Sequence, residues 1–144
     1  MLNEILSEHH CCIDAHIKSK KAALEKLSQM LSSGLAHVDG RDILRGLSER
    51  EKLGSTILGH GVALPHARLK SINSPMGAFL KLREPVDFDG KEPVDLIFAL
   101  VVPENSESTH LALLAEIARI FSEHERRTVI RSAKNRKELW HELA

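Results

Sequence analysis

The stretch Val94-Asp95-Leu96-Ile97-Phe98-Ala99-Leu100-Val101-Val102 decides the fold. Its last seven residues are all apolar, so both faces of the strand that they form must be buried, as in the centre of a covered sheet. Pro103 follows at once and ends the strand, because proline has no N–H to donate to a sheet ladder. The stretch therefore predicts a central strand with other elements packed on both of its faces.

Helices are predicted on both sides of this strand in the sequence. Upstream, one helix starts at the N-cap Ser19 and stops at Gly34, and a second starts at Asp39 and ends at Gly54. Downstream, apolar periodicity predicts three more helices: a long one capped by Ser106 or Ser108, and two shorter ones near Glu125–Ser132 and Asn135–Leu143.

Short strands are predicted between the second and third helices, where apolar residues no longer recur at helical spacing. They are placed at Ser55–Leu58, Val62–Leu64 and Met76–Leu82, and a first strand is placed at Cys11–Ile17 after a helical turn at Leu2–Ser7. The chain shows no internal repeat and no low-complexity linker. We therefore predict an α/β fold: a single domain, residues 1–144, with a mixed parallel/antiparallel central sheet flanked by helices on both faces.

The composition indicates an ordinary globular chain and argues against several functions. Its 144 residues are 42% hydrophobic, enough for one buried core. Twenty basic and twenty acidic residues cancel and only 3% of residues are aromatic, so no nucleic-acid partner is expected. The run Leu96–Val102 is far shorter than the roughly 20 residues of a membrane span, and Met1–Glu4 lacks a basic signal region. The adjacent Cys11 and Cys12 cannot form an ordinary disulfide, which agrees with a cytoplasmic location.

The segment Gly59-His60-Gly61-Val62-Ala63-Leu64-Pro65-His66-Ala67-Arg68 carries the main functional signal. Pro65 is expected to close a short apolar strand and to leave His66 just past its end, where α/β proteins bind ligands. The two glycines allow a tight turn with room for a bulky anion such as phosphate. Imidazole is largely neutral at pH 7 and can accept a phosphoryl group as a nucleophile. The alternative is a solvated histidine without a function.

Two further residues suit a phosphoryl site, which needs positive charge around the phosphoryl oxygens. Arg50 continues the apolar stripe of Ile43 and Leu47, so its guanidinium either reaches the cleft or snorkels over apolar surface. His110 lies in the first turn of the long helix, where free N–H groups favour an anion. The alternative for His110 is an exposed histidine at a helix end.

Other motifs fail on inspection. The stretch Gly54–His60 imitates a Walker A loop, but His60 occupies the lysine position. The triplet Gly59–Gly61 begins a dinucleotide fingerprint whose last glycine would be Leu64. The run His9-His10-Cys11-Cys12 has metal-ligand residue types, but neighbours on a strand point to opposite faces. We therefore expect no cofactor and no metal.

A basic cluster lies near the C-terminus and is interpreted as a solvated helix face, with a docking surface for an acidic partner as the alternative. Its members are Arg126, Arg127, Arg131, Lys134, Arg136 and Lys137.

Several separated blocks of the chain resemble one protein family, and they occur in the right order. The blocks are Ser19-Lys20-Lys21, Arg50-Glu51-Lys52-Leu53-Gly54-Ser55-Thr56, the His66 segment, Pro93–Leu100 with Pro103, and His110-Leu111. They resemble the enzyme IIA domains of the bacterial phosphotransferase system, fructose/mannitol type, and most nearly the nitrogen-regulatory branch, IIA-Ntr. Residues 1–18 match poorly, and His60 stands where the family commonly has asparagine.

The resemblance implies that His66 is phosphorylated on Nε2, with Arg50 and His110 as active-site neighbours. It implies a phosphotransferase that accepts the phosphoryl group from an HPr- or NPr-type phosphohistidine protein. One downstream role is nitrogen-related regulation through phosphorylation-dependent partner binding, which the lack of an attached IIB, IIC or HPr-like segment favours. The alternatives are transfer to a IIB protein for sugar uptake, or a binding module in which His66 is unreactive.

Overall fold

The computed structural model describes residues 2–90 and 92–144, which form a six-stranded sheet between two layers of helices. The strands are β1 (Cys11–Ala15), β2 (Ile57–Gly59), β3 (Val62–Ala63), β4 (His66–Leu69), β5 (Met76–Asp87) and β6 (Pro93–Pro103). The helices are α1 (Lys20–Ser32), α2 (Gly40–Leu53), α3 (Glu107–Ser122), α4 (His124–Arg131) and α5 (Arg136–Leu143). Two short 3-10 turns, Leu2–Glu4 and Glu8–His10, precede β1.

Strand β6 lies at the centre of the sheet, as its sequence predicts. It pairs with β5 in antiparallel orientation on one edge, and with β3 and then β4 in parallel orientation on the other. Strand β1 runs parallel to β5, and β2 runs antiparallel to β3, so the order is β1-β5-β6-β3-β2 with β4 beside β6. The mixed parallel/antiparallel sheet is therefore confirmed.

The helices cover both faces of this sheet and explain the continuous apolar run of β6. Successive residues of a strand point to opposite faces. Ile97 and Val101 belong to the core beneath α1 and α2, whereas Phe98 and Leu100 belong to the core beneath α3, α4 and α5. All four side chains are fully buried. Within the described ranges, no helix is long and apolar enough to cross a membrane.

Two helix starts follow the predicted caps, Ser19 and Asp39, and a third follows the predicted helix start at Asn135. The side-chain oxygens of Ser19, Asp39 and Asn135 each accept a hydrogen bond from a backbone N–H in the first turn. Ser106 precedes α3, but its side chain forms no capping hydrogen bond. Helix α2 ends at Leu53, directly before the predicted Gly54. These boundaries place the end of α2 and the start of α3 near the edge of the sheet formed by β4.

Strand β4 corrects the prediction that Pro65 ends the pairing and leaves His66 beyond the strand. Pro65 has no N–H, but its carbonyl oxygen accepts a hydrogen bond from Leu100 N at 3.0 Å. Pairing with β6 therefore continues past the proline, and His66 is the first residue of β4, opposite Leu100. Strand β5 likewise runs on beyond Leu82, after a change of register. His66 thus starts a strand and is half-buried.

The basic cluster near the C-terminus is not a uniformly solvated face, so that prediction is wrong. The Arg127 side chain is buried and donates to the carbonyl oxygen of Phe121 at 2.8 Å. Arg131 reaches back to the sheet and pairs with Asp95 at 2.8 Å. Arg126 donates to the carbonyl oxygen of Glu142 at 2.7 Å. These arginines bind α4 to the end of α3, to α5 and to β6, because a guanidinium can donate hydrogen bonds to carbonyl and carboxylate oxygens.

Candidate active site

His66 presents one ring nitrogen as a nucleophile. Its Nδ1 lies 2.8 Å from the carbonyl oxygen of Leu64. A carbonyl oxygen only accepts hydrogen bonds, so Nδ1 carries the proton and Nε2 keeps its lone pair. Burial lowers the pKa of His66; the bond to Leu64 raises it, and the charge of Arg50 lowers it. The ring is therefore neutral and nucleophilic at pH 7.

His110 lies beside His66 and is not an exposed histidine at a helix end. Only 9% of its surface is exposed, and the two ring centroids are 5.1 Å apart with the rings inclined by 61°. Its Nε2 finds no hydrogen-bond partner in the described part of the chain. Burial lowers the pKa of His110, and the neighbouring His66, Arg68 and Arg50 lower it further. A buried polar atom without a partner is costly, so Nε2 is available to a ligand.

Arg50 lies in the last turn of α2 and reaches the same cleft. Its guanidinium Nη1 donates to the carbonyl oxygen of Gly54 at 2.9 Å, which caps the helix end. Arg50, His66 and His110 all line one open cavity of about 770 Å³ between α2, β4 and α3. The structure thus brings together the three residues that the sequence analysis selected.

Sequence reasoning missed Arg68, which lines the cavity as well. It lies two residues after His66 on β4, and residues at that spacing share one face of a strand. The shared strand face of His66 and Arg68 is hidden from sequence reasoning, because the sequence predicts that Pro65 ends the strand. With Arg50, it gives the cavity two guanidinium groups beside two neutral imidazoles, an arrangement that suits an anion with several oxygens.

The glycine turn before β3 leaves no room for phosphate beside Gly61. Gly61 has a φ of +80°, and a Cβ there would lie 2.6 Å from Arg131 and 2.8 Å from Asp95. The space beside Gly61 is therefore already filled by an ion pair. His60, which also has a positive φ of 56°, is exposed and is not among the residues that line the cavity.

The N-terminal run of histidines and cysteines lies apart from the cleft. Cys11 is buried, and burial raises the pKa of its thiol to about 12. Among the side chains that the structure describes, which leave out Asp14, no three His, Cys, Asp or Glu residues are grouped so that they could hold a metal ion. Cys11 therefore contributes to packing as a small apolar residue.

Comparison with known proteins relates this arrangement to one family. The family model described as phosphoenolpyruvate-dependent sugar phosphotransferase system, EIIA 2, matches residues 4–144. The nitrogen regulatory protein of Pseudomonas aeruginosa is 40% identical over 141 residues, which cover 96% of this chain and 92% of that protein. The crystal structure of nitrogen regulatory protein IIA-Ntr from Neisseria meningitidis has a TM-score of 0.93 and 38% identity, and the match covers 99% of both chains.

A larger protein also contains a similar stretch. The 2-O-alpha-mannosyl-D-glycerate-specific EIIABC component of Escherichia coli is 33% identical over 132 residues, which cover 89% of this chain but 20% of that protein.

The matched residues 4–144 include the two histidines and two arginines of the cleft, Arg50, His66, Arg68 and His110. The chain belongs to the EIIA type 2 family of the phosphotransferase system, and within it the chain is similar to the nitrogen regulatory proteins named IIA-Ntr. The resemblance drawn from the separated sequence blocks is thereby confirmed.

Proposed function

We propose that this chain is a phosphoryl carrier that accepts a phosphoryl group on His66 Nε2. The observation that carries the proposal is the hydrogen bond from Nδ1 to the carbonyl oxygen of Leu64, which fixes the tautomer and leaves Nε2 nucleophilic. In the transfer step, the Nε2 lone pair forms a bond to phosphorus. The N–P bond of the donor breaks, and its electron pair returns to the donor's ring nitrogen. The enzyme activity is that of a phosphotransferase with a phosphohistidine intermediate.

Arg50 and His110 are proposed to stabilise the transferring group. The Arg50 guanidinium places a permanent positive charge at the cavity, and its planar fork suits two phosphoryl oxygens. His110 Nε2 has no hydrogen-bond partner among the described residues, so in the tautomer that carries a proton on Nε2 it can donate to a third oxygen. Charge develops on these oxygens during transfer, where fixed donors are most effective.

A protein donor of the HPr or NPr type fits the rim of the cavity. Leu53 is 84% exposed and Leu111 is 61% exposed, and both line the opening around the polar groups. A second, mainly apolar cavity of about 380 Å³ shares His66 and Arg50 with the first. Exposed apolar side chains around a polar centre are typical of a protein-binding surface.

Regulation through phosphorylation-dependent partner binding is the downstream role that we propose. The near-full-length relatives named nitrogen regulatory proteins support it. The second candidate is transfer to a IIB protein for sugar uptake, which the similarity to part of a sugar-specific EIIABC component supports. Labelled protein would pass its phosphoryl group to a purified IIB domain under the second role and would retain it under the first.

Labelling with a donor tests the proposal. Incubation with a phosphorylated HPr- or NPr-type protein is expected to give an adduct that is labile in acid and stable in alkali, and the folded His66→Ala variant is expected to give none. Equal labelling of the variant would contradict the assignment to His66. Failure of the original chain to accept any label would favour a binding module without phosphoryl chemistry.

A further inference from the structure

A buried carboxylate lies directly behind the cleft. The Glu51 side chain is 3% exposed, and its Oε1 lies 3.0 Å from Nζ of Lys20 on α1. The hydroxyl of Thr56, which is also buried, donates to Oε2 of the same carboxylate. Burying a charge is unfavourable unless it is paired. Oε2 of Glu51 accepts the hydrogen bond from Thr56, whereas Oε1 forms an ion pair with Lys20 but no hydrogen bond within the described residues.

One route of hydrogen bonds leads from this pair to His66. The carbonyl oxygen of Thr56 accepts from the backbone N–H of Leu64 at 2.9 Å. The carbonyl oxygen of Leu64 in turn accepts from His66 Nδ1 at 2.8 Å. The Leu64 residue is thus held on its N–H side by Thr56, while its carbonyl sets the proton position on His66.

A second route leads to Arg50. The backbone N–H of Gly54 donates to the carbonyl oxygen of Glu51 at 3.2 Å, and Gly54 in turn accepts from the Arg50 guanidinium at 2.9 Å. The segment 51–56 therefore holds the position of the Arg50 side chain as well. The first route starts from the contact between the side chains of Thr56 and Glu51, whereas the second route runs through the backbone carbonyl of Glu51. The side-chain contact joins the two ends of the segment 51–56 that contains Gly54.

We infer that Glu51 and Thr56 are positioning residues for phosphoryl transfer: their side-chain contact closes the segment 51–56, which holds the Leu64 carbonyl against His66 Nδ1 through the backbone of Thr56 and contains the Gly54 carbonyl that Arg50 contacts. The inference rests on the proposed function of His66. Neither side chain touches the phosphoryl group, and they act through the backbone of residues 54–64. Mutation of a residue that holds a reacting group in place typically lowers activity by about 10–100-fold, because a small displacement of the reacting group slows its reaction.

The test compares variants of Thr56 that keep or remove the hydroxyl. Thr56→Val removes the donor and keeps the branched shape, and Thr56→Ser keeps the donor. Thr56→Ala is a second deletion in case the valine disturbs folding. Thr128→Val is the matched control, because Thr128 is exposed and its hydroxyl donates within α4 to His124. Two properties are measured on each folded variant: the nitrogen-15 shifts of the neutral His66 ring, and the rate of labelling by a phosphorylated HPr-type protein.

The inference predicts that Thr56→Val and Thr56→Ala lose the single Nδ1–H tautomer of His66 and label about 10–100-fold more slowly. Thr56→Ser should recover most of the rate and the tautomer, and Thr128→Val should match the original chain. An unchanged tautomer and rate in both deletion variants would overturn the inference, as would equal losses in the serine variant. If the original chain accepts no phosphate, the proposed function fails, and the ring shifts alone still decide whether Thr56 sets the tautomer.

Discussion

The hydrogen bond between His66 Nδ1 and the carbonyl oxygen of Leu64 joins two residues on either side of Pro65. In the proposed transfer, this local geometry selects which nitrogen of the ring reacts, and a carbonyl oxygen accepts the hydrogen bond from the other nitrogen. The neutral ring is the proposed nucleophile, because burial keeps the pKa of His66 below its ordinary value. The positive charges proposed to hold the phosphoryl group come from Arg50 and Arg68, which line the same cavity.

Replacement of Arg50 tests whether its guanidinium stabilises the transferring group. Arg50→Ala is expected to slow transfer roughly a hundredfold or more, equivalent to about 2–4 kcal/mol, because a charge-assisted contact to a transition-state oxygen is lost. Arg50→Lys should recover only part of the rate, since one ammonium cannot replace the planar fork. The rate of phosphoryl transfer is measured for each variant, and the midpoint of urea unfolding is measured as well to show that the variant is folded. An Arg50→Ala protein that transfers at the original rate would show that the side chain only covers the helix end.

His110 is expected to separate function from stability. His110→Gln keeps much of the side-chain volume and should slow transfer by about 10²-fold, because an oriented donor to a phosphoryl oxygen is displaced. The free energy of unfolding should change by less than about 1 kcal/mol, because His110 Nε2 loses no hydrogen bond to any residue that the structure describes. His124→Gln, at the exposed start of α4, is the matched control. Equal transfer rates in both variants would remove His110 from the site.

At the scale of elements, the end of α2 and the start of α3 meet beside β4, just after the connection from β3 to β4. The two strands pair with β6 in succession, and Pro65 lies between them. The end of α2 supplies Arg50, the start of α3 supplies His110, and β4 supplies His66 and Arg68. The β2–β3 turn is fixed from the other side by Arg131 of α4, which donates to the carbonyl oxygen of His60.

The turn between β2 and β3 should tolerate no side chain at Gly61. Gly61→Ala places a Cβ against Arg131 and Asp95 in a backbone with φ +80°. Gly34→Ala is the matched control, because Gly34 has the same φ and no atom lies within 4 Å of the added Cβ. Both should lose about 1–2 kcal/mol to the left-handed backbone, and Gly61→Ala about 1–3 kcal/mol more to overpacking. Urea unfolding measures the difference, and equal losses would contradict this account of the turn.

At the scale of the whole molecule, the sequence predicts the layers of helices and strands but does not predict the side-chain contacts between the layers. The apolar run of β6 and the capping residues Ser19, Asp39 and Asn135 predict their elements because their signals are local. The sequence also selected His66, Arg50 and His110, which the structure brings to one cavity. Their positions at a strand, a helix end and a helix start are readable from short-range patterns.

The features that sequence reasoning missed depend on partners distant in the chain. Strand β4 forms because Leu100 supplies the N–H that pairs with the Pro65 carbonyl, and no local signal predicts that partner. Arg131 is expected to be solvated because its charge suggests exposure, yet it pairs with Asp95, which lies 36 residues earlier in the chain. The pairing of Glu51 with Lys20 likewise requires two helices to meet.

The central claim is that Nε2 of His66 carries the phosphoryl group, and nuclear magnetic resonance of the nitrogen-15-labelled protein tests it most directly. After phosphorylation by an HPr- or NPr-type donor, the claim predicts phosphorus coupling to Nε2 of His66, while Nδ1 keeps its proton and its bond to Leu64. Phosphorus coupled to Nδ1 of His66, or to the ring of any other of the nine histidines, would contradict the claim.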